Sequence, residues 1–193
     1  MRHNIAVSGS RFRLRPVELS DARFLLELRT DPSRARFLGP TPPYIEAQEK
    51  WIEQYFDRPG DYYFIVEDVR TDASEGSIGI YDCDEADRSA QWGRWVVRNG
   101  SLSAVESAYL IYTVGFELLG LERMYCRTAI ANERVISFHD SFGLTRTRAL
   151  NKSILLPDGP SDAVEHELTR EAWQRLKPNI AGKIGRLAAR MAG

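Results

Sequence analysis

Trp92-Gly-Arg-Trp-Val-Val-Arg98 is followed by Asn99-Gly-Ser-Leu102, by a segment from Ser103 to about Leu119 that closes on Phe116-Glu-Leu-Leu-Gly-Leu121, by Arg123-Met-Tyr-Cys-Arg-Thr128, and by Asn132-Glu-Arg-Val-Ile-Ser-Phe-His-Asp-Ser-Phe-Gly-Leu144. These segments read as strand, loop, helix, strand, helix. Asn132 is a good helix N-cap, and Gly143 suits the left-handed position just past a helix end. Ser103 and Glu106 have the S-x-x-E spacing of a capping box, which predicts that Glu106 folds back on the helix start.

The chain before this stretch supplies further strands and two helices. Arg11-Phe-Arg-Leu-Arg-Pro16 alternates apolar and basic residues, as a half-buried strand ended by proline does. Ser20 is placed to cap a helix carrying Phe24, Leu25 and Leu28, with Leu19 as a hydrophobic staple. Thr41-Pro-Pro43 breaks the chain, and Ile45 to Phe56 follows as a second helix, stopped by Arg58-Pro-Gly60. Tyr62–Val69, Gly76–Tyr81 and Ala90–Val97 read as an antiparallel meander rich in β-branched and aromatic residues. After the core, Thr145–Leu156 and Ala163–Thr169 read as paired strands around the turn Pro157-Asp-Gly-Pro160. Residues 1–10 read as a flexible leader, 11–177 as one domain and 178–193 as a helical tail. In that tail Ile180, Ile184, Leu187, Ala188 and Met191 share a face that suits packing on the body or on a second copy in a homodimer.

The 193 residues are enough for one domain with a full core. A formal net charge of −1 provides no overall field to recruit nucleic acid or a membrane surface. No apolar run approaches the ~18 residues of a membrane span, and the first ten residues lack the apolar core of a signal peptide. Cys83 and Cys126 make no disulfide framework and read as buried thiols of a cytoplasmic protein.

The order of elements from Trp92 to Leu144 resembles the acyl-CoA-binding core of the GNAT N-acetyltransferase superfamily, in its RimJ/RimL-like branch, and the likeness extends over roughly residues 11 to 175. It implies a mixed α/β (α+β) fold: a central, mostly antiparallel seven-stranded sheet flanked by about four helices. It implies acetyl-CoA as acyl donor and a primary amine as acceptor, such as an amino sugar, a protein N-terminus or another small amine. A helix N-terminus offers free N–H groups and a positive dipole end to an anion. The loop of Gly100, Ser101, Leu102, Ser103 and Ala104 is thus the expected seat of the CoA phosphates. The family pattern Arg/Gln-x-x-Gly-x-Gly/Ala falls on Asn99, Leu102 and Ala104, of which Ala104 matches. The likeness further implies that Trp95, Val96 and Val97 form a strand edge for the pantetheine arm, with Asn132 bonding that arm and Phe138 in the same motif. His139 stands where the family commonly has a tyrosine that protonates the departing thiolate, a task open to histidine near neutral pH. The bland alternative is a histidine that merely ends a short helix. On the acceptor side the expected residues are Arg29, Asp82 and Gln91, the last where relatives often carry glutamate. No metal ligand is assigned. A second reading is a degenerate GNAT domain that binds a CoA ester or a partner without catalysis.

Overall fold

The computed structural model describes residues 2–190. Eight strands form one sheet: β1 (Val7–Ser8), β2 (Phe12–Pro16), β3 (Tyr62–Asp68), β4 (Ser74–Asp84), β5 (Ser89–Val97), β6 (Arg123–Ala129), β7 (Thr145–Leu156) and β8 (Gly159–Thr169), in the order β1-β2-β3-β4-β5-β6-β8-β7. Every neighbouring pair is antiparallel except β5–β6. That pair is parallel because the chain leaves β5, crosses over through a helix and re-enters the sheet beside it, and a parallel pair requires such a crossover.

The helices are α1 (Ala22–Thr30), the short α2 (Pro32–Ala35), α3 (Ile45–Phe56), α4 (Ala104–Thr113), α5 (Glu133–Phe142) and α6 (Arg170–Arg190). One core packs α4, α5 and α6 on the sheet through Trp92, Tyr112, Phe116, Met124, Phe142 and Trp173. A second packs α1 and α3 on β2 and β3 through Val17, Leu25, Ile52, Tyr55, Tyr63 and Ile65. Helices therefore flank both faces of a mixed α/β sheet, as the sequence implies, with one strand and two helices more than the expected seven and four.

The extra strand lies within the supposed leader. Val7 and Ser8 pair with Leu14 and Arg13. The Glu106 carboxylate fixes this hairpin: it accepts the Arg11 backbone N–H at 3.0 Å, and a Cβ on Gly9 would fall 2.0 Å from its Oε1. Glu106 is therefore spent on the β1–β2 turn, and the expected capping box with Ser103 does not form. Ser20 is not a cap either. A 3-10 turn over Leu19–Asp21 precedes α1, and the Asp21 carboxylate accepts the Glu18 N–H at 2.8 Å.

The tail also differs from expectation. It begins not at Pro178 but eight residues earlier, as part of a continuous α6 that buries Trp173, Ile180 and Ile184. Pro178 sits inside this helix, where it lacks an N–H to donate. Leu187 is more exposed, and Met191 lies outside the described residues. The helix after β5 does not stay α-helical to Leu119. It changes to a π turn over Val114–Leu118, where Leu119 N–H bonds Val114 O at 2.9 Å.

Glu106→Ala is expected to leave the Arg11 N–H without its buried partner, at a cost of about 1–3 kcal/mol. Thermal unfolding should show a drop of several degrees, and an unchanged melting temperature would contradict the role given to Glu106.

Candidate active site

β5 and β6 hold each other over three pairs only, Ser89–Gln91 against Arg123–Tyr125. Beyond these, β5 continues with β4 as far as Val97, and β6 continues with β8 as far as Ala129. The two strands therefore part at Trp92 and Cys126 and form a fork that opens toward the start of α4. Trp95, Val96 and Val97 lie on its β5 arm, where the sequence places them.

A bulge shapes that arm. Gly93 pairs with Gly79 and Val96 with Ser77, so Arg94 and Trp95 together oppose Ile78. Arg94 takes φ +49° to do this. The extra residue turns Trp92 and Trp95 to the same face, with ring centroids 5.7 Å apart. Trp95 donates its indole N–H to Ser107 Oγ of α4 at 3.1 Å and lies 4.8 Å from the Phe138 ring of α5. Trp95 thus bridges the two helices that border the fork.

Arg94 is sent to the opposite face. Its guanidinium donates to Asp61 Oδ2 at 2.8 Å and lies over the Tyr81 ring at 4.4 Å and the Trp51 ring at 5.2 Å. Close by, Gln91 Nε2 donates to the Tyr81 hydroxyl at 3.0 Å, and burial pushes the Tyr81 phenol up to about 12. Gln91 thus stands at the base of the fork. Asp82, the residue after Tyr81, is exposed at a register break with φ +52°. Arg29 is engaged elsewhere: it donates to Thr41 Oγ1 at 3.0 Å and Gly39 O at 3.3 Å and so pins the loop after α2.

The loop ahead of α4 has the turn that its glycine predicts. Gly100 adopts φ +80°, and Ser101 N–H bonds Arg98 O at 3.2 Å. Ser101 Oγ donates to Ser103 Oγ at 2.9 Å and accepts the Ser103 N–H at 3.2 Å, and Ser103 gives no side-chain cap to the helix. The first-turn N–H groups from Ala104 onward are those that helix geometry leaves open to an anion. Leu102 is 60 % exposed, so it projects away from the fold rather than into the turn. Beside the loop, a cleft of about 290 Å³ between α1 and α2 is lined by Phe24, Glu27, Asp31, Arg34, Arg98 and Asn99. Arg34 is paired with Asp31 at 2.6 Å, and the exposed Arg98 stands next to the loop without a carboxylate partner among the described residues. No motif in the sequence singles out this cation, because only the folded loop brings it beside the start of α4.

Asn132 caps α5 through Val135 N–H at 3.4 Å, and Gly143 closes that helix at φ +103°. Asn132 Nδ2 makes no hydrogen bond among the described residues, which leaves it available to a ligand. His139 is 2 % exposed, wedged against Trp92 at 5.4 Å, Trp95 at 6.0 Å and His166 of β8 at 5.2 Å. Burial, and then the neighbouring His166, push its pKa down to about 3 against the opposing pull of Asp140. This corrects the expectation of a histidine that holds a ready proton near neutral pH: the ring is neutral there. His139 does lie in the last turn of α5, as the bland alternative has it, but packed in the interior. Among the described residues no group of three or more His, Cys, Asp or Glu could hold a metal ion, and no helix is long and apolar enough to cross a membrane.

The model of the acetyltransferase (GNAT) domain family matches residues 11–145, which includes the fork, the loop and the helix that carries His139. The chain belongs to the GNAT acetyltransferase family. It is accordingly an acyl-CoA-dependent acetyltransferase. Among solved structures, this GNAT chain is similar to FdhC, a nucleotide-linked sugar GNAT, at 26% identity over 93% of this chain and 98% of that one, with a TM-score of 0.79. It also shares its fold with a GCN5-related N-acetyltransferase from Brucella melitensis (18% identity, 93% and 85% covered, TM-score 0.82). A spermidine N-acetyltransferase SpeG variant from Vibrio cholerae has the same fold (16% identity, 86% and 97% covered, TM-score 0.74). No curated protein matches the sequence.

A histidine that folding keeps neutral must be deprotonated below its unfolded-state pKa of about 6.5, so the unfolded chain binds the extra proton there. Its contribution is a loss of stability as pH falls from about 6.5 toward the folded value of about 3. His139→Phe removes that contribution, and the fall in melting temperature from pH 7 to pH 4.5 should be shallower than in the unsubstituted protein. An equal or steeper fall would show that the ring is not held neutral.

Proposed function

We propose that this GNAT protein transfers the acetyl group of acetyl-CoA to a primary amine by direct attack, with the acyl arm lying in the fork between β5 and β6. The observation that carries this reading is the abrupt end of the parallel ladder after Gln91 and Tyr125. Backbone polar groups on an interior strand are ordinarily paired, and an extended pantetheine arm is of a shape to pair with Trp95, Val96 and Val97. Gly100, Ser101, Leu102, Ser103 and Ala104 would receive the phosphates at the start of α4, helped by Arg98. Asn132 would bond the arm from the other side through its free amide, and Phe138 and Trp95 would flank it. Free strand N–H groups near the end of the fork would stabilise the oxyanion as the amine attacks. Juxtaposing the two reactants supplies much of the rate.

The acceptor would approach by way of Arg29, Asp82 and Gln91. A polycation would need concentrated acid, and here the buried acids Asp61 and Glu165 are already paired: Asp61 with Arg94, Glu165 with Arg127 at 3.0 Å and Arg148 at 2.7 Å. An amino sugar or a protein N-terminus fits this mixed charge better than a polyamine. Membership of the RimJ/RimL-like branch, a cytoplasmic setting and a homodimer are further parts of the same reading.

A second reading, a domain that binds a CoA ester without turnover, is favoured by one observation. Gln91 stands where a glutamate base is common, and its amide is tied to Tyr81. Calorimetry with acetyl-CoA and a thiol-release assay across amino sugars, N-terminal peptides and polyamines separate the two. Catalysis requires binding together with thiol release on at least one amine, amino sugars or peptides ahead of spermidine. Binding without release on any amine establishes the second reading, and absence of binding removes both.

A further inference from the structure

Two enclosed histidines meet where the fork closes. The first residues past the last β5–β6 pair are Trp92 and Cys126, and Cys126 faces His166 across the β6–β8 ladder. His139 comes down from α5 onto the same point, 5.4 Å from Trp92 and 5.2 Å from His166 between ring centroids. The rings are 2 % and 0 % exposed, and each has an Nδ1 without a hydrogen-bond partner. Enclosed polar atoms are normally paired, so these two nitrogens, with the equally unpartnered Trp92 Nε1 beside them, require an explanation.

The explanation continues outward. His166 Nε2 lies 3.2 Å from Asp140 Oδ1, and Asp140 reaches the surface, its side chain 37% exposed. Arg146 Nε donates to that carboxylate at 2.8 Å, and this bond, ahead of the one from His166, holds Asp140 well below the usual carboxylate range. An ionised Asp140 only accepts, so His166 carries its proton on Nε2 and turns a bare Nδ1 inward. Neither Nδ1 bonds the other directly, so a partner for that lone pair would be an Nδ1–H on His139 reached through one water, which would leave His139 with a bare Nε2. The ionisable groups that act on His139 are His166 and Asp140, and those on His166 are Asp140 and Arg146.

We propose that His139 is the general base of the acetyl transfer and that His166 and Asp140 are positioning residues that carry its proton out to solvent. This rests on the acetyl-transfer reading above. The amine nitrogen forms its bond to the acetyl carbon, the carbon–sulfur bond breaks, and its electron pair leaves on sulfur. The nitrogen's proton passes to His139 Nε2 while the Nδ1 proton of His139 moves through the bridging water to His166 Nδ1. The Nε2 proton of His166 moves by way of Asp140 to water, and the same chain run in reverse carries a proton from solvent through His166 and His139 Nε2 to the thiolate, which restores both tautomers. Neither ring holds a charge for long, as their burial requires. The chain fills the place that Gln91 leaves without a carboxylate.

Steady-state kinetics of Asp140→Asn, His139→Gln and the double variant test this, with imidazole nitrogen NMR of the unsubstituted protein as an independent measurement. Asp140→Asn should lower kcat on the order of tenfold or more with KM for acetyl-CoA unchanged, and shift the acid limb of the pH–rate profile. In the His139→Gln background the same substitution should cost nothing further. The NMR should show His166 protonated on Nε2, and acetyl-CoA should perturb the His139 signals. Unchanged kcat in Asp140→Asn, or an equal loss in both backgrounds, overturns the relay in favour of a structural role. If no amine supports thiol release, the acetyl-transfer reading fails by itself. The relay is then overturned by a His166 proton on Nδ1 or by His139 signals that ignore acetyl-CoA.

Discussion

The short parallel ladder between β5 and β6 is the constraint on which the rest of the structure depends. Three residue pairs hold the strands together, and each strand then follows its outer neighbour, β4 or β8. An antiparallel sheet interrupted by one parallel pair must place a crossover helix at that pair, so α4 starts at the open end of the fork. The loop that reverses the chain there presents the helix N-terminus toward the opening. Fork, loop and helix are thus consequences of a single topological choice.

The bulge at Arg94 and Trp95 divides the labour of the two sheet faces. Without the extra residue, Trp92 and Arg94 would share a face. With it, Trp92 and Trp95 build an aromatic wall with Phe138 and His139 on the α4–α5 side, while Arg94 joins Asp61, Tyr81 and Trp51 on the α1–α3 side. A buried arginine–carboxylate pair adds little net stability over apolar packing, but removing one partner strands the other in the interior. The pair therefore fixes the geometry of the bulge more than it strengthens the fold.

Much of the fold was legible in the sequence, and the reasons are local. The strands Tyr62–Asp68 and Arg123–Ala129 and the helices α3 and α5 declare themselves through β-branched runs, apolar periodicity and the Asn132 and Gly143 ends. The misreadings came where a polar side chain had two possible partners. Ser103 and Glu106 have capping-box spacing, yet Glu106 bonds Arg11, which is 95 residues away. Ser20 has the identity of a cap, yet Asp21 supplies the bond. In each case a tertiary partner or a neighbour one position along won a competition that spacing alone does not decide.

The same division holds at the site. By itself the sequence determined the strand-loop-helix order, the Gly100 turn and the two ends of α5, because these rest on backbone preferences and on nearest neighbours in the chain. The family was legible only as a resemblance carried by that order; the fork is a matter of which strands pair. Only the tertiary structure decided what His139 is. Its identity suggested a titrating acid, while its enclosure by Trp92, Trp95 and His166 makes it neutral. The partnership of His139, His166 and Asp140 joins α5 to β8 and has no signature in spacing. A pKa is set by desolvation and by the charges brought near, and both arise only when distant segments pack together.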